Sequence, residues 1–201
     1  MKTVPLLLIT LLFSLPSHAD SLLVDYEVTL TRKDGTTTST QYQFASDGNR
    51  IMIKDSNLPY RDMWLRMGPD YLRLHRIVDS RQTYIGVAPS ELLASNSMPN
   101  WDALNSPLPA AIVRECSEDS SAAVSCQKNQ DGLVSLATIK SGGVTIRWSL
   151  SKVSRNDPTL ESMFHSADLY RSYDFAEVGE GYSPELVELA QMVGLHTEHH
   201  H

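Results

Sequence analysis

The chain has 201 residues, with 17 Lys and Arg against 24 Asp and Glu and a net charge of −7. That length holds one domain or two small ones and is enough to bury a sizeable core. The acidic balance and the lack of any basic cluster argue against a nucleic-acid partner and against electrostatic docking on an anionic membrane surface.

Residues 1–19 read as a secretory signal peptide. Lys2 is a minimal positive start, an apolar run covers 4–15, and Ser17-His18-Ala19 puts small residues at the −3 and −1 positions. A membrane anchor needs about 20 apolar residues, and this run is shorter. Cleavage before Asp20 is expected, which sends the chain to the periplasm with 20–195 as a single domain. No Cys follows the site, so a lipid-anchored form is not expected. No later stretch reads as a membrane span.

The first element alternates cleanly. Leu22, Val24, Tyr26, Val28 and Leu30 share one face of a strand, with Asp25, Glu27, Thr29 and Thr31 on the other. Lys33-Asp34-Gly35 is a hairpin turn. Residues 36–45 return with Tyr42 and Phe44 on one face, Asp47-Gly48-Asn49 turns again, and Ile51 and Ile53 mark a third strand. This is an antiparallel meander. After a loop around Pro59, Met63, Leu65 and Met67 alternate with Trp64 and Arg66. Residues 71–87 read as two strands joined by a polar turn at 79–82.

The pattern changes at Pro89. Residues 90–115 hold few alternating runs, and short helices are expected near 90–94 and 109–114, lying across one face or mouth of the sheet. Strands resume at 133–140. Val144, Ile146, Trp148 and Leu150 then alternate with polar residues in the clearest strand of the chain. Asp157-Pro158 opens a helix carrying Leu160, Met163 and Phe164. Residues 169–178 read as a final strand with Tyr173 and Phe175 on one side. In the last helix Ser183 caps, Pro184 starts and Gly194 ends, with Leu186, Leu189, Ala190 and Val193 as its apolar stripe. It is expected on the sheet, either on its back or as a lid across its mouth.

Cys116 and Cys126 are the only cysteines. Export favours a disulfide between them; a redox or metal pair is the alternative, though the spacing is neither C-x-x-C nor a zinc pattern. The bridge would stabilise by roughly 3 kcal/mol.

An exported chain with an antiparallel meander and helices inserted after the middle strands resembles the LolA/LolB-like periplasmic carrier family. The resemblance lies in the pattern of elements over 22–178. It implies an α+β fold: a bent antiparallel β-sheet, an incomplete barrel, with a few short helices packed on it or closing its mouth. It also implies carriage of a lipid or lipoprotein. A bent sheet has a concave face that one layer of side chains does not always fill, and such cavities bind ligands. Tyr26, Val28, Tyr42, Phe44, Met63, Leu65, Trp148 and Leu150 are the candidate lining; the same residues also fit an ordinary packed core.

Catalytic signatures are missing: there is no G-x-S-x-G, H-E-x-x-H or glycine-rich phosphate loop. His75 reads as a strand residue and His165 as a helix end, where positive charge suits the dipole. Asp174, Glu177 and Glu180 form an acidic run without an EF-hand pattern. Met63 and Met67 fit a core face better than a copper site. The tail carries His196, His199, His200 and His201, which suit zinc, copper or nickel; the same run also reads as the remnant of a purification tag. The expectation is a non-enzymatic periplasmic protein without a cofactor, binding an apolar small molecule, lipid or envelope protein. The alternatives are metal handling through the tail and an assembly factor pairing through a sheet edge.

Overall fold

Strand β1 (Leu22–Thr31) holds the middle of the fold because it is apolar on both sides at its start. Val24 and Tyr26 are buried on one face, here called the front, and Leu23 on the back. The structure is a computed structural model that describes residues 21–69, 71–117, 123–180 and 183–194. The expected signal peptide, residues 1–19, and the histidine tail lie outside the described residues.

β1 pairs with β2 (Thr37–Ser46) through a turn in which Gly35 takes φ +83°, a conformation that costs glycine little. β3 (Arg50–Asp55), β4 (Arg61–Arg66), β5 (Leu72–Val78) and β6 (Thr83–Val87) continue the meander. A single 3-10 turn at Asp79–Arg81 joins β5 to β6. After the helical segment α1 (Pro89–Ala94), α2 (Trp101–Leu104) and α3 (Ala110–Ser117), the chain returns on the other side of β1. There β7 (Val124–Lys128), β8 (Val134–Ser141) and β9 (Val144–Arg155) form a second meander, with β9 against β1. α4 (Thr159–His165), β10 (Arg171–Asp174), α5 (Phe175–Glu180) and α6 (Pro184–Met192) complete the described chain.

The result is one ten-stranded sheet in the order β10-β6-β5-β4-β3-β2-β1-β9-β8-β7. It does not close into a barrel, and a few short helices cover it, so the α+β class holds. The expected all-antiparallel pairing needs one correction: β10 runs parallel to β6, with Tyr173 opposite Ile85. α4 and the turn after it carry the chain past the sheet and bring it back in the same direction as β6, which only a crossover permits.

The expected final strand over 169–178 shrinks to four residues. Leu169 is 96 % exposed, and Phe175 opens α5 instead of continuing the strand. Met67 lies past the end of β4 and is 62 % exposed, so it does not belong to the core face assigned to it. β7 and α2 have no counterpart among the expected elements. β7 is mostly polar and has no alternation of its own; its place is set by pairing with β8.

Three cores follow. The front core joins Tyr26, Tyr42, Phe44, Trp64 and Trp148 to Leu92, Trp101 and Leu108 of the helical segment. The back core joins Leu23, Ala45, Met52, Met63 and Ile77 to Leu160 and Phe164 of α4. The third seats Leu189 and Ala190 of α6, with Val193 just after it, on Val78, Ile85 and Val178. Ser183 Oγ accepts the Leu186 N–H at 3.3 Å, and Gly194 leaves the helix at φ +70°, so the punctuation of α6 follows its sequence.

Candidate functional site

Residues 88–117 form a cover over the front of the sheet. α1 begins at Pro89, and the Ala88 N–H donates to Glu91 Oε2 at 2.6 Å. Asn100 caps α2 by accepting the Asp102 N–H at 2.8 Å. Helices of six, four and eight residues are too short to hold their shape in water alone. They are ordered by what they bury. Leu92, Trp101 and Leu108 enter the front core, and the Arg66 guanidinium lies 5.5 Å from the centre of the Trp101 ring. Ser46 Oγ donates to Asn105 Oδ1 at 2.7 Å. The last fastening is covalent: Cys116 of α3 is bonded to Cys126 of β7, with their Cα atoms 5.6 Å apart.

This packing leaves a cavity of about 150 Å³ between the cover and the β7–β8 end of the sheet. Pro107, Leu108, Val113 and Cys116 of the cover form one wall and Leu133 and Val134 the other. Tyr26 reaches it from β1 and Lys128 from β7. The Tyr26 hydroxyl donates to the Val134 carbonyl at 2.9 Å, and burial pushes its pKa up to about 12, so it remains a neutral donor. Behind it, the Trp148 ring meets Tyr26 edge-on at 5.9 Å and Tyr42 at 5.1 Å. Burial, helped by the Asp55 charge, also raises the Tyr42 hydroxyl. Trp148 is 8 % exposed, and its buried Nε1–H has no acceptor among the described residues. Leaving such a donor unpaired costs about 1–3 kcal/mol.

Two other hollows are polar. One, of about 300 Å³, lies over Asp25, Gln41, Gln43, Lys54 and Ser56, with Tyr42 as the one apolar-bodied residue among its described lining. The other, of about 190 Å³, lies beside α6 and is crossed by the Arg81–Glu188 ion pair. The first is walled mainly by polar side chains, and the second sets Leu189 and Met192 against four polar or charged residues.

The eight expected lining residues divide. Tyr26, Tyr42, Phe44 and Trp148 are buried in the front core, with Val28 and Leu150 half-buried against it. Met63 and Leu65 point to the back core, one strand step out of phase. Of the eight, only Tyr26 lines the cavity. The cover residues that form its walls were not expected individually. Their signal was present: Pro107-Leu108-Pro109 and the Ile112-Val113 pair are apolar in a segment with no strand to bury them.

The titratable candidates lie elsewhere. His75 is on the back face, stacked on Tyr84 at 4.6 Å. Burial, with Arg73 adding and Asp168 opposing, pushes its pKa down to about 4. His165 pairs with Glu161 at 2.9 Å on the surface of α4. Among the described residues, no three His, Cys, Asp or Glu side chains are grouped to hold a metal ion. No described helix is long and apolar enough to cross a membrane. The chain matches no family model and no curated protein.

Proposed function

We propose that this is an exported, non-enzymatic binding protein that takes an apolar ligand between the front of its sheet and the cover formed by residues 88–117. The observation that carries this reading is the cover itself. It consists of three helical pieces too short to be stable alone, laid over an aromatic face, with a largely apolar cavity beneath α3 and the loop that precedes it. Ligand pockets usually measure about 300–1,000 Å³, so a ligand the size of a lipid enters only if the cover gives. The cover is held by side-chain packing, with the disulfide fixing one end, so displacing its free part disrupts no strand ladder. The leader-like residues 1–19 and the disulfide support a periplasmic setting.

Native mass spectrometry of protein purified from its own host tests this reading. Extra mass that organic extraction removes, together with a higher melting temperature on adding fatty acids or phospholipids, is the expected result. Protein that carries nothing and gains no stability from either would refute it.

A further inference from the structure

We infer that the ligand is an organic monoanion, a carboxylate, whose apolar part fills the cavity while its charge rests on Lys128. This rests on the proposed binding role and names the chemistry of the ligand. The cavity walls at Pro107, Leu108, Val113 and Leu133 carry no charge; among its described lining residues only Lys128 does. Lys128 is exposed at the end of β7, and among the described residues it has no ion-pair partner.

The position matters because the chain is acidic overall, at −7. Beside that apolar opening stands an ammonium with no ion-pair partner among the described residues. An ammonium is a compact point charge on a flexible stem. It stays in water while its methylenes extend the apolar wall. An uncharged ligand would gain only the apolar contact. A dianion would meet one cation for its two charges. A carboxylate with an apolar body satisfies both parts of the site. The resting cavity matches in size one known to hold benzene, about 150 Å³. A short chain therefore fits as the protein stands, and a longer one requires the cover to move.

The test is calorimetry on the folded exported chain with hexanoate and dodecanoate, each against the alcohol of the same length, at low and high salt. The carboxylates are expected to bind about fivefold more tightly than the alcohols. That margin should vanish in Lys128→Gln and shrink with salt. Leu133→Trp, a half-buried wall position, fills the space and should abolish binding of both. Dodecanoate binding alone would place the ligand among long-chain acids held under a displaced cover; hexanoate binding as tight would place it among small acids. Equal affinity for acid and alcohol in the unaltered protein, with Leu133→Trp still blocking both, would overturn the carboxylate and leave the binding role standing. Failure of all four compounds to bind would remove both.

Discussion

The covers on the two faces of the sheet are fastened in different ways. On the back, α4 is locked by Arg61, which is 6 % exposed. Its Nε and Nη2 donate to Asp79, Nη2 also to Ser166 Oγ at 2.7 Å, and Nη1 to the Met163 carbonyl at 3.2 Å. Tyr170 donates to the same Asp79 at 3.2 Å, and Arg50 joins Asp47 to Glu161 while lying over the Phe164 ring. On the front, among the described residues, the cover has apolar contacts, the Arg66 guanidinium over Trp101, one side-chain hydrogen bond to β2 and one disulfide. The back therefore closes with its buried donors satisfied, and the front closes with a cavity and an unpaired indole N–H. Directional charge-assisted bonds hold one geometry. Apolar packing tolerates several arrangements, which is what a ligand-admitting cover needs.

The largest effect is expected at neither cover. Leu189→Asp puts a charge where α6 meets Val78 and Ile85, and should cost about 2–5 kcal/mol in urea unfolding. α6 lines no part of the cavity, so hexanoate affinity in the folded fraction should be unchanged. Hydrogen-exchange protection over 185–193 should likewise not respond to ligand. A ligand-dependent change there would make α6 a lid and dissolve the contrast between front and back.

Arg61→Met breaks the back lock and should cost about 3 kcal/mol, moderated because Asp79 is 43 % exposed and stays hydrated. Binding at the front should survive. If both covers loosen together on proteolysis, the faces are not independent.

Cys116→Ser with Cys126→Ser acts on the front alone. Stability should fall by roughly 2–3 kcal/mol, and stopped-flow association of dodecanoate should become faster as α3 is released from β7. Unchanged association would show that the disulfide does not restrain the cover.

The smallest effect is a pH slope, and it belongs to the back. His75 protonates near pH 4 when folded and near 6.5 when unfolded. Between those values the unfolded chain binds the extra proton, so stability is full above 6.5 and falls as pH drops towards 4. His75→Phe, which keeps the stack on Tyr84, should flatten the melting temperature across that window. Asp62 works the other way. Burial, outweighing its partner Arg76, raises its pKa, so the folded state takes up that proton first and gains stability on acidification just above 3.8. Asp62→Asn should therefore steepen the acid loss.

The meander, its turns and the caps of α6 were legible because each is written locally. Two-residue alternation marks the strands, and Gly35 and Gly194 stand where positive φ is needed. The two-sided burial was legible only in part. Leu22-Leu23, Phe44-Ala45, Ile51-Met52, Met63-Trp64 and Ile77-Val78 are apolar doublets, and in each one residue serves a different face from its neighbour. A one-faced reading of alternation assigns one partner of each pair to solvent, which is how Met63 and Leu65 came to be grouped with Tyr26 and Trp148.

By itself, the sequence determined the alternating strands of the first meander, the cysteine pair that is bonded, and the start and stop signals of α6. These depend on backbone sterics, side-chain period and short-range capping, which act over a few residues. Tertiary structure alone decided that β9 returns beside β1, that β10 runs parallel to β6, and that the cavity lies under the cover at the β7–β8 end rather than at the centre of the sheet. Strand order and void position are set by how side-chain volumes from distant segments fill a shared space. No local period in the chain encodes that sum.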